Sequence, residues 1–299
     1  MLYQNEQQRR TAPEDGSYQV AGLLDVVKLL SRLGTPNADD LVRVQREAAT
    51  LDPRGAFNDT RTFIDPRGRL MMDTGQIYEG KPLKSFNSLN ALVDKGPTLA
   101  EYLAGTEIGD MFAPEFSRIK IGQAPLGGGF EAGLTNPTGF VDKAGNFQTV
   151  QPGFLAVNSS VPKSKIPELV EHETQHGIQY AQRGPQGANF DAMSNDFMDY
   201  YQEQGIVSPQ LRAAMDAEAL QAGVSRPEYR YMSTTGEAEA RVPQRQILMR
   251  AEGVDPGMPS AADYAWTGRG YEINPRNLFD LVEDPQEGFS NWWKQKWSK

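Results

Sequence analysis

Leu169-Val170-Glu171-His172-Glu173-Thr174-Gln175-His176-Gly177-Ile178-Gln179 carries both histidines of a 299-residue chain. Around it, Ile166, Leu169, Val170 and Glu173 recur in the i, i+3, i+4, i+7 pattern. That spacing predicts a helix from Ser164 to the Arg183-Gly184-Pro185 stop. On a helix, residues four apart share a face at about 5–6 Å, so His172 and His176 present two imidazoles to one point. Two histidines scattered at random in this chain, with a glutamate directly after the first, reach this arrangement roughly once in a thousand trials or fewer.

Paired imidazoles with that intervening glutamate make a His-Glu-x-x-His motif, the pattern of zinc metalloproteases. In that chemistry the histidines hold Zn²⁺ and Glu173 acts as general base. It takes a proton from the metal-activated water that attacks a peptide bond, and delivers it to the leaving amine. A catalytic zinc ordinarily takes three protein ligands, and the chain has no third histidine and no cysteine. Gln182 stands where the extended metzincin motif would need histidine, so that subclass is excluded. The third ligand is expected to be a carboxylate. Gly236-Glu237-Ala238-Glu239-Ala240-Arg241 is the best source, because its small residues let a helix over Thr235–Arg250 approach the motif helix closely. Glu237 is the favoured ligand and Glu239 the alternative. Glu239 points about 200° away, toward a neighbouring group or an arginine. Tyr229, Tyr231 and Arg241 are nearby donors for a developing oxyanion.

Outward from this core, the chain reads as an α+β protein in three parts. Residues 1–57 form a helical N-terminal arm, with helices over 17–33 and 37–51 and a break at Asp52-Pro53-Arg54-Gly55. Residues 58–252 form the main domain with a small mixed or antiparallel sheet, and 253–299 a Pro/Gly-rich extension ending in a Trp-rich helix. Strands are expected at 62–71 (two, with a turn), 118–121, 139–150 (a hairpin) and 154–158, and a helix over 98–111. The last strand precedes the motif helix and is read as the edge that aligns an extended substrate. The run Gly127-Gly128-Gly129 lacks the context of a phosphate cradle and reads as a loop.

Composition narrows the function further. Hydrophobic residues at 38% suffice for a core, and Gly and Pro at about a sixth of the chain fall short of disorder. A formal charge of −9 disfavours nucleic-acid and anionic-membrane binding, since both need a positive surface. No stretch is apolar enough to span a bilayer, and the polar start Met1–Arg10 offers no secretory signal.

These motifs together resemble the zincin-like metallopeptidase domain of the large polyvalent proteins of phages and conjugative elements. The motif helix and Gly236–Arg241 carry the resemblance, joined by Leu99–Leu103, Phe112-Ala113-Pro114 and Arg118–Ile121, over residues 60–245. It implies a gluzincin-type fold and a peptide or protein substrate. It also implies a location in the phage virion or host cytoplasm. Such domains usually sit within much larger proteins, whereas this chain has 299 residues.

Trp292, Trp293 and Trp297, interleaved with lysines, can dock on their own domain or anchor to a virion or polyprotein partner. The competing expectation, from a different class, is a structural or assembly component of a phage particle that keeps the scaffold without proteolysis.

Overall fold

The computed structural model describes residues 49–275 apart from 52, 61, 65–69, 73–80, 107, 110–111, 128, 142–146, 182–192 and 206. The Trp-rich tail and nearly all of the expected 17–51 helices lie outside the described residues. The chain falls into two compact units, residues 1–73 and 74–299.

In the first unit, helix α1 (Pro53–Thr60) precedes an antiparallel pair, β1 (Thr62–Ile64) and β2 (Leu70–Met72). This pair is the strand–turn–strand expected at 62–71. The break expected at Asp52–Gly55 is instead a helix start. Proline's missing N–H is unpaired in a first turn anyway, and its fixed φ suits that turn. Phe57 and Phe63 pack edge to face with ring centroids 6.1 Å apart, which ties helix to hairpin.

The second unit opens with three short helices, α2 (Leu89–Lys95), α3 (Leu99–Tyr102) and α4 (Ala113–Phe116). The single helix expected over 98–111 does not form. A Thr98/Glu101 capping box starts α3, but Gly105 at φ +83° takes the chain out of the helical region. Strands β3 (Ile119–Ala124), β4 (Ala132–Thr135), β5 (Thr138–Val141), β6 (Phe147–Gln151) and β7 (Gly153–Asn158) follow.

The principal sheet is mixed, in the order β3-β7-β4, with β3 parallel and β4 antiparallel to β7. Hairpin β5–β6 forms a separate two-stranded sheet where 139–150 predicted one. Period-two alternation gives the principal sheet two apolar faces. Ala124, Ala156 and Phe154 pack with Leu92 of α2, while Ile119, Ile121, Leu155 and Val157 are fully buried on the other register. β7 therefore lies in the middle. The expectation that the strand before the motif helix is a substrate-aligning edge is overturned, because both sides of β7 are already paired. The free edge belongs to β4.

From β7 the chain makes a 3₁₀ turn at Lys163–Lys165 and enters α5 (Ile166–Ala181), the motif helix. Gly177 lets α5 sit close on the layer beneath it. A Cβ there would lie 3.2 Å from the Phe116 ring and 3.7 Å from Leu134. Next come α6 (Asn195–Glu203), α7 (Pro209–Ala222), α8 (Arg226–Ser233), α9 (Thr235–Ala251) and α10 (Ala261–Ala265). Phe197, Met198, Tyr201, Met215 and Tyr229 build a second core between α6, α7 and α8. Helix α9 packs along α5 and is buried on every face from Thr235 to Pro243. Of the small residues at 236, 238 and 240, all buried, Ala238 packs in the second core beside Tyr229 and Met232. No helix among the described residues is long and apolar enough to cross a membrane.

Candidate metal centre

Helices α5 and α9 bring His172, His176 and Glu237 together, with ligand atoms of all three within 4.8 Å of one another. The two Nε2 atoms are 3.2 Å apart. His172 Nε2 lies 3.5 Å from one oxygen of Glu237, and His176 Nε2 lies 3.5 Å from the other. Ligands held at 2.0–2.1 Å around a tetrahedral ion stand about 3.3 Å apart, so these three residues match the donor set and spacing of a His₂Glu site. The rings cross at 83°, which directs their nitrogens to a shared point instead of stacking them.

Burial sets the electrostatics. Glu237 is 2% exposed, and Glu173 and His176 are 8% exposed each. Burial alone would raise the Glu237 pKa, but the imidazoles of His176 and His172 hold it well below the usual carboxylate range. At His176, burial pulls the other way, yet the Glu237 carboxylate and Glu173 push the pKa up to about 9. Each shift says that this pocket favours negative and positive charge face to face.

Glu173 differs. Burial raises its pKa, opposed by His172 and His176, and it accepts a hydrogen bond from the backbone N–H of Leu134 in β4. A carboxyl raised in this way is a better proton acceptor near neutral pH than an exposed glutamate.

A cleft of about 1080 Å³ opens onto His172, Glu173 and Glu237. One wall is the segment Gly129–Ala132 that leads into β4, and Phe130 is 52% exposed there. The opposite wall is Trp266–Arg269, from the segment expected as a C-terminal extension. Arg241 Nε donates to the Trp266 carbonyl at 3.2 Å, which ties that wall to α9.

The three expected oxyanion donors separate. Tyr231 faces the cleft and hydrogen-bonds Glu237. Burial first, then Glu237 and Glu173, push its pKa well above the usual tyrosine value, so it keeps its proton. Arg241 also lines the cleft, but its guanidinium is bonded to the carbonyls of Met232 and Trp266. Tyr229 lies elsewhere, its hydroxyl donating to Glu218 Oε2 at 3.0 Å.

Glu239, the alternative third ligand, stands outside the cluster. It accepts from Gln179 Nε2 at 3.1 Å, and Gln179 Oε1 lies 2.7 Å from His176 Nδ1. Sequence reasoning overlooked Gln179. Its signal was its place seven residues after His172 and three after His176, on the same helical stripe.

Comparison with family models, curated proteins and solved structures returns no match for this chain.

Proposed function

We propose that this chain is a zinc-dependent endopeptidase with a gluzincin-type, zincin-like fold. The reading is carried by one observation: two imidazole nitrogens 3.2 Å apart, each 3.5 Å from the Glu237 carboxylate, beside the buried carboxyl of Glu173. Bound zinc would polarise the scissile carbonyl and make an attacking water acidic near neutral pH. His172, His176 and Glu237 would hold the ion. Glu173 takes the proton from the water and gives it to the leaving amine, a transfer its raised pKa suits. The Tyr231 hydroxyl, which hydrogen-bonds the Glu237 carboxylate, would turn from it to donate to the carbonyl oxygen as charge develops there, once Glu237 is held by the ion. The outer edge of β4, apart from the Leu134 N–H given to Glu173, offers an extended peptide backbone partners.

The resemblance over residues 60–245 favours an origin in a phage or conjugative element, with action in the virion or host cytoplasm on a peptide or protein. A scaffold that assembles without catalysis has no use for a buried carboxyl at Glu173, so the structural alternative is the weaker reading.

The test is Glu173→Gln. It should keep wild-type zinc content while peptide hydrolysis falls by roughly 10²–10⁴-fold. Equal hydrolysis by both proteins, or none by zinc-loaded wild type against a broad peptide mixture, rejects the proposal.

A further inference from the structure

Gln179 is 1% exposed, and its amide is fully committed. Nε2 donates to the Gly236 carbonyl at 2.9 Å and to Glu239 Oε2 at 3.1 Å. Those two acceptors fix which end of the amide is nitrogen, so Oε1 is the atom 2.7 Å from His176 Nδ1. A carbonyl-type oxygen can only accept, so Nδ1 must carry the hydrogen. The Nε2 lone pair of His176 is then left for the cluster with His172 and Glu237.

We infer that Gln179 and Glu239 are positioning residues for the metal centre, a relay running Glu239 carboxylate, Gln179 amide, His176 imidazole. The inference rests on the zinc reading of His172, His176 and Glu237. The relay does two things. It sets the ring nitrogen that His176 offers, and the buried carboxylate behind it polarises the chain of hydrogen bonds and makes that nitrogen a stronger donor. Through Gly236 it also anchors the backbone one residue before Glu237, so one side chain aligns ligands from both helices. Glutamine suits this place because its partners need an acceptor at one end and a donor at the other. Glutamate would set two buried carboxylates against each other.

That asymmetry supplies the test. Zinc affinity is measured by competition with a chromophoric chelator, and ligand geometry by the visible spectrum of the Co²⁺-loaded protein, with Tm of the metal-free proteins as the folding control. Gln179→Leu should weaken zinc binding by roughly 10–100-fold and distort the tetrahedral Co²⁺ spectrum. Gln179→Glu should lose a similar amount. The double variant Gln179→Glu/Glu239→Gln restores the ends facing His176 and residue 239, because the carboxylate now on α5 accepts both from His176 and from the amide now on α9, while the Gly236 carbonyl loses its donor. It should regain part of the affinity, although its Tm need not recover. A role confined to packing would give no such rescue. Wild-type affinity and spectrum in Gln179→Leu, or a double variant as weak as Gln179→Glu alone, overturns the relay. Failure of the wild type itself to bind zinc overturns the zinc reading beneath it, so the two failures are distinguishable.

Discussion

Two buried charged clusters lie in the same unit, and they are built on opposite plans. In the α6–α8 core, Arg230 is completely buried. It donates to Met193 O at 3.2 Å, Asn195 Oδ1 at 3.0 Å and Asp216 Oδ1 at 2.6 Å. That cluster carries its own counter-charge, and its bonds join three helices. Between α5 and α9, the carboxylates Glu173 and Glu237 face the imidazoles of His172 and His176. The neighbouring fixed cation, Arg241, spends its bonds on backbone carbonyls. A charge set that closes on itself acts as a strut. One that stays short of fixed positive charge is a place for a cation, and desolvation makes the shortfall costly.

Breaking the second cluster should have the larger effect. Glu237→Ala removes the only carboxylate in the proposed ligand set. Zinc affinity should fall on the order of a thousandfold, about 4 kcal/mol, and elemental analysis should find the purified variant nearly metal-free. Wild-type zinc content in that variant would mean that another residue completes the site.

Acidity sharpens the contrast next. Without metal, the His176 pKa is raised from 6.5 to about 9. Its contribution to the stability of the metal-free fold is therefore full below pH 6.5 and lost as pH rises through about 9. Zinc must displace that proton, so affinity should climb roughly tenfold per pH unit up to about 9. The zinc-induced rise in Tm should widen over the same interval. The Arg230 cluster contains no histidine and should contribute equally throughout.

Arg230→Ala strikes the strut instead. It leaves Asp216 with the more distant Arg226, at 3.6 Å, and should cost about 3 kcal/mol by denaturant unfolding. Zinc stoichiometry in the surviving folded protein should be unchanged. The smallest effect is expected for Tyr229→Phe, which deletes the bond to Glu218 and should cost about 1 kcal/mol without altering zinc binding.

What could be read from the chain beforehand follows the range of the interactions. His172, Glu173 and His176 were legible because their relation is local, one turn of one helix. Glu237 was legible because small neighbours announce close helix packing, even 61 residues on. The Gln179–Glu239 contact was not, since it depends on how α5 and α9 are rotated against each other, which neither helix encodes alone. The place of β7 in the sheet was missed for a similar reason. Periodicity identifies a strand, but pairing order is decided by partners 19 to 34 residues away. The helix expected over 98–111 ends at Tyr102, and the positive φ of Gly105 turns the chain away from continuing it.

The central position of β7 has a consequence in time. Its amides are paired on both sides and covered on both faces, so they should be among the last in the protein to exchange with deuterated water. Only seven residues separate its end from the start of α5. The two histidines are thus launched from the segment that opens least often, while Glu237 arrives on a helix separated from α5 by 53 residues of chain.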